Sequence, residues 1–262
     1  MTFSVVKSGL LAAAVWMPVA VLAHGAEPAP ASVAAPAAKP SVPATTAAVQ
    51  ATPPADLRVT YYTRNIGSDG VLREATYTNR VYRRATPQGG WVWTERELPE
   101  ALRKSQVHGH EHSQGPHAGH AHDEASGAPL RVSRGNDGKE TVEIIMDKLH
   151  RVIEVEGAHH GNVGYGGSWD TQYWLVPPAM LRAMQPVGSV KNGVQRLRQT
   201  VGEQTTEVDW DVRGQYPRLI ERRDAHGTAL TRVKAERIAM PSPAPWAASE
   251  KFDHGDYSDL LD

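Results

Sequence analysis

From Leu57 onward, short runs of apolar, β-branched and aromatic residues stand among polar ones and are broken by Gly-containing turns, the pattern of strands. Leu57–Thr63, Val71–Arg84 and Trp91–Leu98 predict an antiparallel meander with turns at Gly67–Gly70 and Gln88–Gly90. Trp91 and Trp93 fall on one face of the third strand, Val92 and Thr94 on the other. Strands resume at Leu130–Arg134, Glu140–Met146 and Arg151–Val155, with Gly135–Gly138 as a hairpin turn. A last group spans Gly193–Val201, Thr205–Val212, Tyr216–Asp224 and Leu230–Met240. Helical text is confined to Glu100–Val107 and Pro177–Met184, the latter with prolines in its first turn, where they are tolerated. The expectation is a mainly β (β-rich α+β) fold, a single antiparallel sheet with one or two short helices. The aromatic, acidic tail Ala244–Asp262 is expected to pack over an open end of it.

The pattern starts late. Met1–Ala23 reads as a signal peptide: Lys7 supplies the positive charge, Leu10–Leu22 the apolar run, and Val21/Ala23 the small-residue cleavage rule. The run is shorter than the roughly 20 residues needed to span a bilayer. Residues 24–55 are an Ala/Pro-rich stretch with almost no large apolar side chains, read as a disordered tether. The β-rich domain is then 56–262, interrupted by an insertion at 105–128. The expected product is a soluble periplasmic protein, cleaved after Ala23, with no membrane span.

Val208-Asp209-Trp210-Asp211, Tyr216-Pro217-Arg218-Leu219-Ile220-Glu221 and Asp224-Ala225-His226-Gly227, followed by a strand through Val233, resemble a stretch of the bacterial outer-membrane lipoprotein-carrier (LolA/LolB-like) family. There a strand with Trp leads to a Pro turn, a "P-L-x-I-E" strand, "D-x-x-G" and another strand. The resemblance covers mainly residues 205–240 and implies an open half-barrel. It transfers no ligand residues, and the family has no counterpart to the insertion.

Composition changes the picture at two points. There is no Cys, which excludes disulfides, thiolate metal sites and Cys nucleophiles, and the interleaved charges, with a net of −1, offer nucleic acid no basic face. Six of the twelve histidines, His108, His110, His112, His117, His120 and His122, crowd the insertion beside Glu111, Asp123 and Glu124. Imidazoles at H-x-H spacing on a Gly/Ala-rich chain can chelate one borderline ion, so Zn or Cu(II) is expected, loosely selected. His150, His159 and His160 are the candidates for a rigid site. No nucleophile elbow, zinc-protease helix or phosphate loop is present, and no enzyme is expected. The leading functional expectation is therefore a periplasmic transition-metal-binding protein that buffers, scavenges or delivers zinc or copper, with a transporter, metallochaperone client or lipoprotein as partner. The alternative is a periplasmic carrier or sensor of an apolar ligand or lipoprotein in a half-barrel cavity, with the His-rich loop as lid. The direction of Trp91, Trp93, Trp174 and Trp210 separates them: a lined cavity favours the carrier, a closed core the metal protein.

Overall fold

The structure, a computed structural model, describes residues 55–98 and 127–260. Twelve strands form one open sheet: β1 (Leu57–Ile66), β2 (Leu72–Thr86), β3 (Gly89–Arg96), β4 (Leu130–Gly135), β5 (Glu140–Met146), β6 (Arg151–Glu154), β7 (Gln185–Pro186), β8 (Val194–Val201), β9 (Gln204–Asp211), β10 (Tyr216–Asp224), β11 (Ala229–Arg237) and β12 (Asp253–Asp256). Their order is β12-β6-β5-β4-β3-β2-β1-β11-β10-β9-β8-β7, so β1 joins two meanders and the ends stay unpaired with each other. All neighbours are antiparallel except β12, which runs parallel to β6. The sheet is therefore mixed, which corrects the expectation of a purely antiparallel one. The last segment reaches the far edge by crossing the sheet, and it arrives pointing the same way as β6.

Strict alternation gives the two faces different chemistry. On the apolar face one ladder row runs Leu197–Val208–Ile220–Val233–Tyr61–Tyr77 across β8, β9, β10, β11, β1 and β2. A second runs Leu57–Val81–Thr94–Leu130–Ile144–Ile153 across β1 to β6. Both feed the main core. On the other face, β8 to β11 carry a charge row, Arg198–Glu207–Glu221–Arg232, whose ion pairs are exposed and contribute little stability.

Two short helices lie on the apolar face: α1 (Trp169–Trp174) and α2 (Pro178–Ala183). Ser168 caps α1 by accepting the Thr171 N–H, and Leu175 ends it in the left-handed region. Helices of six residues have no stability of their own. Burial of Trp169, Tyr173, Leu175 and Val176 against the sheet holds them there. The tail does not close an end, as expected from its composition, but lies against the polar face. Trp246 and Phe252 join a second cluster with Tyr82, Trp93, Ile145 and Val152.

Candidate functional site

The apolar face is covered unevenly. Against the main core nine apolar side chains are only partly buried, among them Tyr61, Leu197, Trp210 and Val233 from the sheet and Trp174, Met180 and Leu181 from the helical cover. They mark a seam where a marginal helical layer meets the sheet. Tyr61 stacks on Tyr77 across β1 and β2 at 4.6 Å, and the Arg96 guanidinium lies over Tyr77 at 4.0 Å. Burial pushes the Tyr61 hydroxyl above its ordinary range, so it stays neutral.

Two further features frame the cover. Buried Tyr165 hydrogen-bonds Glu140 on β5. Trp169 and Tyr173 stack at 4.8 Å, and with Ala85, Gly89, Gly90, Arg134, Gly135 and Asn136 they line a cleft of about 290 Å3. The four tryptophans divide between the faces. Trp174 and Trp210 sit at the seam, whereas Trp93 is buried on the opposite face with Trp91 beside it, under Trp246. The division follows neither alternative drawn from the sequence.

The six insertion histidines, His108 to His122, lie outside the described residues. The remaining candidates are not brought together. His150 meets Phe252 edge-on, His159 stacks on Tyr257 at 4.7 Å, and His160 Nε2 lies 3.1 Å from the Val155 carbonyl oxygen. His226 and His254 are exposed, His226 lying 3.4 Å from Glu203. Among the described residues no group of three His, Cys, Asp or Glu side chains could hold a metal ion.

No family model matches the chain, and no curated protein matches its sequence. Solved structures resemble it in fold. The Pseudomonas aeruginosa MucA/MucB complex matches 72% of this chain and 53% of that one, at 13% identity and TM-score 0.33. A putative outer-membrane lipoprotein-sorting protein domain from Vibrio parahaemolyticus matches over 75% and 90%, at 11% identity and TM-score 0.31. A LolA superfamily protein from Nitrosomonas europaea matches over 72% and 89%, at 10% identity and TM-score 0.26. The chain spans about half the length of the MucB structures it matches. Among the described residues the chain forms one open, mixed sheet of twelve strands with few short helices. The open, β-rich architecture implied by the hairpins at 205–240 is the one observed.

The reading as a zinc- or copper-binding protein is corrected. Among the described residues the histidines are dispersed onto aromatic and backbone partners, and no cluster of side chains could hold a metal ion. Periodicity alone did not disclose the seam, because Met180 and Leu181 fall within the short predicted helix Pro177–Met184 and α1 was hidden behind Gly164, Gly166 and Gly167. Ser168, three residues before the backbone N–H it caps, was the available signal.

Proposed function

We propose that this protein is an exported, non-catalytic carrier or sensor that holds a lipid acyl chain, as borne by a lipoprotein, at the seam on the apolar face of its half-barrel. The observation that carries this reading is the set of half-buried apolar side chains packed on the main core, Tyr61, Leu197, Trp210 and Val233 on the sheet and Trp174, Met180 and Leu181 on the cover. The two six-residue helices have little stability of their own, so the half-buried positions at their edge, rather than the anchored Trp169 and Tyr173, are where the cover can yield. An acyl chain entering there replaces the contacts that the helices give up. The signal-like segment ending at Ala23 supports export to the periplasm. Among the described residues no helix is long and apolar enough to cross a membrane.

Titration with a fluorescent long-chain fatty acid tests this, with a triacylated lipopeptide as competitor. Saturable binding is expected, weakened by about ten-fold or more in Leu181→Glu and Val233→Glu and unchanged in Val190→Glu. Absence of saturable binding, or binding indifferent to the two seam variants, would overturn the reading.

A further inference from the structure

On the polar face, at the β7–β8 edge and away from the seam, lies an open concavity of about 650 Å3. That volume falls in the range of small-molecule sites. Its walls carry three cations, Lys191, Arg196 and Arg218, against one carboxylate, Asp209, and its apolar part comes from Val187 and Val194.

The cations are positioned by the fold. Lys191 and Val194 flank a two-residue hairpin turn in which Asn192 and Gly193 both take positive φ, and they exchange backbone hydrogen bonds of 3.0 and 2.9 Å. Arg196 donates Nε and Nη2 to Asp209 at 2.7 and 3.1 Å. Arg218 sits at a register shift between Pro217 and Leu219, and such a bulge re-aims a side chain. It donates Nε and Nη2 to Oδ2 of Asp211 at 2.8 and 2.6 Å, with Tyr216 beside it. Asp211 is itself buried and accepts the Gly214 N–H at 2.6 Å. Each guanidinium is thus held in plane by two of its five N–H donors, and the fork retains Nη1 donors for another acceptor.

We infer that this concavity binds an organic phosphate, the phosphoryl oxygens accepting from Lys191, Arg196 and Arg218 and the apolar body resting on Val187 and Val194. Ser189 and Asn192 on the same wall add neutral donors, so the donors suit the three terminal oxygens of a phosphate monoester better than the two of a carboxylate. The inference is independent of the acyl-chain reading, which concerns the opposite face.

Calorimetric titration of the protein with phenyl phosphate, inorganic phosphate and benzoate tests it. Phenyl phosphate is expected to bind most tightly, with inorganic phosphate competing more weakly because it lacks the apolar body. Lys191→Ala and Arg196→Gln should each weaken phenyl phosphate by about ten-fold, with circular dichroism and fatty-acid binding unchanged. Val194→Ser should bring phenyl phosphate and inorganic phosphate closer together. Three results would overturn the inference: no heat with phenyl phosphate, equal binding of benzoate, or affinity unmoved in both cation variants.

Discussion

Arg83 donates Nη1 to the carbonyl oxygen of Tyr173 at 2.9 Å, tying the last part of β2 to the end of α1. The side chain is 1% exposed, and its Nε and Nη2 both reach the Ala55 carbonyl oxygen, at 2.9 and 2.8 Å. Its guanidinium hydrogen-bonds backbone carbonyls, and burial lowers its pKa to about 10. One cation thus holds the start of the domain, the sheet and the helical cover together, next to the stretch where Val92, Val132 and Val142 fill the core.

Replacing Arg83 by Ala should cost about 3–5 kcal/mol, since two buried carbonyl groups lose their donors and a large volume empties. Arg83→Lys should recover only part of this, because one ammonium cannot span both carbonyls. Arg223→Ala, which removes an exposed guanidinium paired with Glu207 and Glu221 beside the charge row, should change stability by less than about 1 kcal/mol. Urea denaturation of the three variants checks the ranking, and equal losses in Arg83→Ala and Arg223→Ala would contradict it.

Strands rich in apolar residues and set between turn residues were legible in the sequence, even where both faces are buried, as in β5. β5 (Glu140–Met146) and β10 (Tyr216–Asp224) begin and end where the pattern places them. β12, Asp-His-Gly-Asp, was not legible: none of its residues favours strands, and it forms because β6 leaves an edge to which the tail is delivered. The tail is delivered by Trp246, whose partners Tyr82, Trp91 and Trp93 lie about 150 residues earlier in the chain. The pairing of Arg196 with Asp209 and Arg218 with Asp211 was equally hidden. It depends on strand register and on the bulge at Arg218, neither of which periodicity specifies.

Trp246 is edge-on to Trp91 at 4.7 Å and to Tyr82 at 5.9 Å, and the Arg84 guanidinium lies 5.1 Å from its ring. Trp246→Ala should cost about 2–4 kcal/mol. Because the tail reaches β6 only after this anchor, amide exchange at residues 253–256 should accelerate more than exchange in β9 and β10. Uniform exchange across all three would show that β12 is held independently of Trp246.

Gly89 opens β3 at φ +141°, and a Cβ there would stand 2.0 Å from the Arg134 carbonyl oxygen of the neighbouring strand. Gly89→Ala should therefore cost about 3 kcal/mol or more, since backbone must move. Gly70 also has positive φ, +70°, but nothing lies within 4 Å of its would-be Cβ. Gly70→Ala should cost only about 1 kcal/mol, the intrinsic penalty of the left-handed region. Thermal melts of the pair distinguish steric contact from backbone preference, and equal shifts would mean that the β3–β4 approach yields freely.

Alkaline stability follows from the buried tyrosines. Burial raises the Tyr61 hydroxyl, and burial followed by the hydrogen bond to Glu140 raises that of Tyr165; burial also raises Tyr77 and Tyr173. In the unfolded chain these groups ionise near pH 10. Between that value and their higher folded values the folded state binds more protons, so stability falls as pH rises. Arg83 acts in the opposite sense. Its folded value of about 10 lies below the unfolded one, so its contribution rises over the same range. Arg222, whose pKa burial also lowers, adds to Arg83, but four tyrosines against two arginines set a net loss. The thermal midpoint should hold steady up to about pH 10 and decline above it, with part of the tyrosinate absorbance appearing only on unfolding. Tyr61→Phe should flatten the decline, and Tyr61→Phe with Tyr165→Phe should flatten it further. An alkaline decline of unchanged steepness in the double variant would show that these two hydroxyls do not govern it.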